Sequence, residues 1–524
     1  RLVMDTSSTK EILKSRKNMK IKLLLEGTLI GFLVGFVIVL NRLAISNLTR
    51  YFNNFYDFGN QSIIKSIIVI ITLTFIGYLV GIMVKREEMI SGSGIPQIKG
   101  RVVNKLRLNW FKILIYKFLG GVIALAAGLS LGREGPSVQI GGAVGEGVAD
   151  LTYKKVKVKK EYLITSGASA GLAAAFNSPL SGMIFALEEI HRNFSPLVLL
   201  PAMASAIAAD FVSKRFLGME PSLNFERLQV LPLKYYWLLI ILGILTGVAG
   251  TIFSKGIYLF QDLYGKFKKI PIEVKIMFPF FVTALIGLLF PSLLGGGHDT
   301  ILNLTVEDNS ICILILLYLS KFLLLMIAFG SGVPGGIFLP MLLLGAILGN
   351  ITGVFSFTFL GLNKEFIVNF IALGMAGYFA AVVKAPITGI VLIMEMTGSF
   401  NHILSLGLTV IVSYITADFL KNEAIYELLL ERLLKRKGIK EEADNTKKTI
   451  LEFPIEAGSI ADGKYVKDID WPKDCLLVSI KRGEKEIIPK GKVQLLSGDY
   501  LVVIVTLEKR IEIFEEINSI TLVN

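Results

Sequence analysis

Cysteine and histidine are nearly absent, with two Cys and three His in 524 residues. Cys312 lies in an apolar stretch and Cys475 in a distant tail, so neither a disulfide framework nor a metal-ligand spacing can be assembled from them. No metal and no cofactor is expected. A nucleophile with a positioned base and a phosphate-binding loop are missing too, which argues against a membrane-embedded enzyme. Charge is scarce, at 19% of residues against 53% hydrophobic, and the mean hydropathy is +0.63. A soluble chain of that composition lacks the polar surface to cover itself, so lipid must be part of its solvent.

What the chain has in quantity is uncharged sequence. Gly27 to Asn41, Ser66 to Val84, Asn193 to Ala209, Tyr235 to Ser254, Ile276 to His298 and Met396 to Ala417 carry no Asp, Glu, Lys or Arg. These runs approach or reach the roughly 20 residues that cross about 30 Å of hydrocarbon. Phe322 to Asn363 is about twice as long and must hold more than one element. Glycine and proline interrupt several runs, so half-length helices are expected among the full spans. The opening residues are polar and charged, and no cleavable signal is expected there.

The formal net charge is +13. The basic residues collect at Lys10 to Lys22, Lys154 to Lys160 and Arg432 to Lys440, flanking the apolar runs without interleaved aromatics. That distribution fits anionic lipid headgroups rather than nucleic acid, and it puts both ends of the hydrophobic region on the cytoplasmic side. Residues 1–19 read as an N-terminal segment and 20–434 as one hydrophobic body. Residues 435–449, containing KRKGIKEEADNTKK, read as a charged linker. From 450 to 524, short alternating runs such as CLLVSIKRG and DYLVVIVT are separated by Gly483, Gly491 and Gly498, and LEKRIEIFEEI follows with helical spacing. A small soluble α+β domain is predicted.

The hydrophobic body repeats itself. GASAGLAAAFNSPLSGMIFALEE from Gly167 aligns without a gap on GMAGYFAAVVKAPITGIVLIMEM from Gly374. Gly167, Ala173, Ala174, Pro179, Gly182 and Glu188 match Gly374, Ala380, Ala381, Pro386, Gly389 and Glu395. Each copy follows a Gly/Pro-rich break, LGREGPSVQIGG around Glu134 and GSGVPGGIFLP around Gly335. Paired interruptions in two halves point to a transporter whose substrate site lies near the bilayer midplane between discontinuous helices. Single glycine pairs would merely let helices approach. Proline beside several glycines instead marks helix starts, whose free N–H groups and partial positive charge suit an anion.

Three such starts are present: GSGIP with Gly92, Ser93, Gly94 and Pro96, GREGP with Gly132, Arg133, Glu134, Gly135 and Pro136, and GGIFLP with Ile337 and Phe338. In this order and spacing they resemble the signature set of the CLC chloride channels and transporters, over residues of about 20 to 434. The resemblance implies an all-α polytopic membrane fold, an inverted repeat of tilted and half-length helices over about 20–216 and 235–434. It also implies a homodimer with one pore per subunit, in a bacterial-type plasma membrane. Its substrates would be chloride and protons.

The same resemblance makes Ser93 and Tyr426 the hydroxyl donors to a central chloride, with the main-chain N–H groups of Ile337 and Phe338. Family members that prefer nitrate or fluoride are expected to differ at these positions. Neutral donors bind an anion without trapping it. On residues alone Ser93 is equally a helix cap and Tyr426 an interfacial anchor. Acidic side chains within membrane segments are costly and functional by default. Glu134 matches the family's external gating glutamate, and its carboxylate can imitate the anion it displaces. Glu189 matches the internal proton-transfer glutamate, a position that is apolar in channel members, which favours antiport over a passive chloride channel. A solvated cluster with Glu188, His191 and Arg192 is the other reading of Glu189. Glu188 has a repeat counterpart in Glu395 and reads as structural, whereas Glu189 aligns with Met396. Arg133 and Lys117 are candidates for local electrostatic tuning.

The tail, through KYVKDIDWPKDCLLVSIKRGEKEIIPKGKVQLLSGDYLVVI, resembles the TrkA-C module of potassium-conductance regulators. That resemblance implies dimerisation and a small-ligand site, with a purely structural role as the alternative. A receptor whose tail carries the function is a third reading of the whole chain.

Overall fold

The computed structural model describes residues 6–153, 157–223, 225, 228–307, 309–439, 448–483, 485–506 and 509–523. Residues 154–156 of the second basic run and 440–447 of the charged linker lie outside the described residues. Two compact units follow one another along the chain, residues 1–431 and 432–524.

The helices of the membrane body fall into two series of eight. The first comprises α1 (Thr6–Gly59), α2 (Ile63–Arg86), α3 (Ile95–Val102), α4 (Trp110–Ala126), α5 (Glu134–Thr152), α6 (Lys157–Phe176), α7 (Pro179–Phe185) and α8 (Pro196–Leu217). The second comprises α9 (Tyr236–Lys266), α10 (Ile272–Leu289), α11 (His298–Val306), α12 (Ile311–Gly330), α13 (Phe338–Leu360), α14 (Ile367–Val383), α15 (Pro386–Thr397) and α16 (Ile403–Phe419). Helix α17 (Ile425–Arg436) closes the body. Among the described residues, eight helical segments are long and apolar enough to cross a membrane. Helices α3, α7 and α11, of 8, 7 and 9 residues, are too short to do so. The long uncharged run divides as expected, because Gly332 (φ 89°) and Pro334 break it between α12 and α13.

The two series use the same devices. A Cβ on Gly141 of α5 would strike the Gly167 carbonyl of α6 and the reverse also holds. Gly345 of α13 and Gly374 of α14 stand in the same relation. Such backbone contact demands glycine and welds each helix pair without a hydrophobic driving force. Helices α7 and α15 each begin on proline, leaving the next two N–H groups without carbonyl partners. Each is capped by the other repeat's glutamate. Glu395 accepts from the N–H groups of Leu180 (3.0 Å) and Ser181 (2.7 Å), and Glu188 accepts from those of Ile387 (3.2 Å) and Thr388 (2.8 Å). The exchange is reciprocal, as a two-fold relation between repeats requires.

Large apolar side chains such as Leu29, Phe36, Ile71, Trp237 and Leu316 are exposed on the outer helices, where hydrocarbon replaces water. Helix α14 is buried from Val368 to Val383.

The second unit is an antiparallel sheet of β1 (Lys448–Pro454), β2 (Cys475–Arg482), β3 (Lys485–Ile487) and β4 (Tyr500–Thr506), in the order β1-β4-β2-β3, with helix α18 (Arg510–Thr521). Phe453, Ile480, Leu501, Val503, Ile513 and Ile517 fill its core. The Gly-Asp step before β4 has a physical reason. Buried Asp499 accepts from Arg482 Nε (2.7 Å) and Nη2 (2.8 Å), and from the Leu496 N–H (2.9 Å), which closes the turn. Burial pushes the Cys475 thiol up, making it a poor nucleophile.

Candidate functional site

The three broken starts meet. Helix α3 begins after Gly94, whose φ of 93° only glycine adopts cheaply, and α5 begins at Glu134 itself, so the acid occupies the first helical position. Ile337 caps α13, and its first residue is Phe338. Gly132 and Gly336 exchange two backbone hydrogen bonds of 2.7 Å each, which ties the start of α5 to that of α13. The Gly335 N–H donates to the Gly92 carbonyl at 3.0 Å, joining the α3 start to the same cluster. A Cβ on Gly135 would strike the Ser93 hydroxyl and lie 3.3 Å from Gly336 Cα. Glycine is obligatory there because three chain segments share the space.

An anion site needs N–H groups turned inward and carbonyls turned away. The loop before Ser93 arranges this with side chains. Gln139 Nε2 donates to the Met89 carbonyl (2.7 Å), Lys117 Nζ to those of Ile90 (2.7 Å) and Gly92 (2.5 Å), and Gln97 Nε2 to that of Ser91 (2.8 Å). Four successive carbonyls are held by donors. Lys117 is fully buried, and its partners are these backbone oxygens rather than a carboxylate. The second repeat does the same with buried Lys321, which donates to the carbonyls of Leu293, Leu294 and Gly295 ahead of α11, at 2.9 to 3.2 Å. Replacing Lys117 by Met strips the Ile90 carbonyl of this donor, at a cost of about 1–3 kcal/mol. A lower thermal midpoint in detergent and weaker chloride binding by calorimetry are the expected results.

Glu134 is 0% exposed. Its carboxylate lies near the N–H of Leu339, in the first turn of α13, one residue past Ile337 and Phe338, but without hydrogen-bond geometry, and neither oxygen has a hydrogen-bond partner among the described residues. Arg133 Nε stands 3.9 Å from it. Arg133 also lines a cavity of about 620 Å³ with Asp57, Gly132, His298, Asp299 and Leu339, so Glu134 sits between that cavity and the interior. On the other side lie Ser93 and Tyr426, 2% and 0% exposed. The Tyr426 phenol faces the Ser93 hydroxyl closely enough to interact but without hydrogen-bond geometry, and neither oxygen has a partner among the described residues. Phe185 packs edge-on against Tyr426, ring centres 6.3 Å apart, and against Phe338 at 5.8 Å, so apolar rings wall the two hydroxyls.

Glu189 is 2% exposed, which removes the solvated-cluster reading. It lies in a π-helical turn, Ala186–His191, whose extra residue sends Glu188 toward α15 and Glu189 toward α3. There Lys99 Nζ donates to Glu189 at 2.8 Å. Gly92, Gly94, Pro96, Gly132, Arg133, Gly135 and Pro136 all stand at the starts of α3 and α5. Sequence reading missed Gln97, Lys99, Gln139, Lys321 and Glu427. The available signal was a lysine in GSGIPQIKG, at a place where a membrane helix carries no charge without cause.

Comparison with known proteins places these features in context. Residues 76–418 match the family described as Voltage gated chloride channel, and residues 450–518 match the TrkA-C domain. The H(+)/Cl(-) exchange transporter ClcA of Vibrio parahaemolyticus is 36% identical over 438 residues, covering 82% of this chain and 93% of that protein. Its namesake from Vibrio campbellii is 38% identical over 385 residues, covering 72% and 82%. The crystal structure of a slow cyanobacterial Cl-/H+ antiporter superposes with a TM-score of 0.75 at 30% identity, covering 79% of this chain and 99% of that one.

Proposed function

Because this chain belongs to the voltage gated chloride channel family, we propose that it exchanges chloride for protons by letting a chloride ion and the Glu134 carboxylate alternate at the start of α13. The protein is a secondary active membrane transporter, not an enzyme. One observation carries the reading: a buried carboxylate with no hydrogen-bond partner among the described residues lies beside the first turn of a helix inside the membrane body, where a free anion would bind.

Ionised Glu134 holds that spot. Once protonated it loses its attraction to the helix end, moves toward the Arg133 cavity, and chloride takes its place. The proton leaves to that cavity, and the returning carboxylate drives chloride toward Ser93 and Tyr426. Ser93, Tyr426 and the main chain at Ile337 and Phe338 supply neutral donors that release the ion again. Glu189 delivers the proton from the opposite side. Its burial beside the route supports exchange over passive conduction. We place both termini in the cytoplasm of a bacterial-type plasma membrane, on the basic flanks of the body. Two copies are expected to associate, as the family resemblance implies, with a ligand-responsive role for the TrkA-C domain.

Recording chloride and proton fluxes together from purified protein in liposomes tests the assignment. Each gradient should drive the other ion uphill. A reversal potential set by chloride alone, indifferent to the pH gradient, would mean a channel.

A further inference from the structure

Glu189 is one end of a chain of charges. Lys99 Nζ lies 2.8 Å from Glu189 Oε1 and 2.7 Å from Glu427 Oε2, and Arg192 Nη2 lies 2.8 Å from that same Glu427 oxygen. Side-chain exposure rises in order, 3% for Glu189, 4% for Lys99, 35% for Glu427 and 51% for Arg192. The cluster therefore leads from the buried interior to the wetted surface. Two cations balance two carboxylates, which makes the resting arrangement neutral.

Its placement ties it to the anion site. Lys99 belongs to α3, the helix that Ser93 precedes, and Glu427 follows Tyr426 on α17. The lysine thus straps together the two elements that present the two buried hydroxyls. Neighbouring charged groups are engaged elsewhere. Arg101 pairs with Glu146 at 2.6 Å, His191 Nδ1 meets the Thr165 hydroxyl at 2.9 Å, and Glu188 caps α15. Lys105 adds a further electrostatic attraction to Glu427.

We propose that Lys99 is the positioning residue that links protonation of Glu189 to the inner end of the anion site, through a strap between α3 and α17 that tightens and slackens with the charge on Glu189. The proposal rests on the reading of Glu189 as the inner proton carrier. While Glu189 is ionised, Lys99 is shared between both carboxylates. A proton taken from the adjoining solution neutralises Glu189, and Lys99 is left to Glu427, in competition with Arg192. The strap then slackens beside Ser93 and Tyr426. When Glu189 passes the proton on to Glu134, the lysine returns, so no group is consumed.

Three variants in liposomes test this, with proton and chloride fluxes recorded against the pH on the Glu189 side. Lys99→Met should lower the proton-to-chloride ratio and move the remaining proton flux to more alkaline pH by about one to three units, the weight of one adjacent opposite charge. Lys99→Arg should restore both. Glu427→Gln should shift the profile the opposite way, to more acidic pH, because Lys99 is then left wholly to Glu189. This arm also decides the matter if Lys99→Met does not fold. A purely structural ion pair would leave both profiles where they are, and that result with Glu189→Gln uncoupled overturns the role of Lys99 alone. Full coupling in Glu189→Gln overturns the inner-carrier reading first.

Discussion

Glu134→Gln will carry chloride without moving protons, and its chloride flux will no longer respond to pH. Glutamine keeps the size of the side chain but cannot ionise, so it has no charge with which to compete for the start of α13. On the proposed mechanism acidification of the unaltered protein neutralises Glu134 and opens the site, so chloride flux should rise as pH falls. The variant should be flat across the same range, with proton flux at the background of empty liposomes. Burial makes this effect large. A carboxylate with 0% exposure, 3.9 Å from Arg133 Nε and near the Leu339 N–H, cannot be replaced in its proton traffic by bulk water. Persisting proton uptake would show that protons bypass Glu134, and the alternation at α13 would have to be abandoned.

Glu189→Gln should produce the complementary defect. Chloride still passes, since the residue does not touch Ser93 or the start of α13, but protons no longer reach Glu134 from that side. The chloride flux of this variant should keep its pH dependence, because Glu134 can still be titrated from the Arg133 cavity. That retained dependence separates the two variants in one experiment. Should Glu189→Gln move protons at the normal ratio, Glu189 is not the inner proton carrier and protons reach Glu134 by another route. The substitution also leaves Lys99 with one carboxylate partner instead of two, so some loss of thermal stability is expected with it.

How far sequence reading went follows from the range of each interaction. Helix breaks are local: Gly and Pro within a few residues set the starts of α3, α5 and α13, and each start was legible in its own motif. The internal repeat was equally legible, since matched residues lie in one gapless alignment, and it anticipated a structural role for Glu188. What Glu188 does was not legible, because its partners Ile387 and Thr388 are about two hundred positions away.

The amino-acid sequence alone therefore determined the solvent, the two-fold plan, the starts of α3, α5 and α13 and the presence of two acids within membrane segments, because composition and short motifs encode them. Only the tertiary structure decided that Lys117 holds carbonyls rather than a carboxylate, that Gln97 and Gln139 share that task, and that Lys99 joins Glu189 to Glu427. The physical reason is that a buried charge is defined by its partners. Those partners arrive from distant segments once the helices have packed.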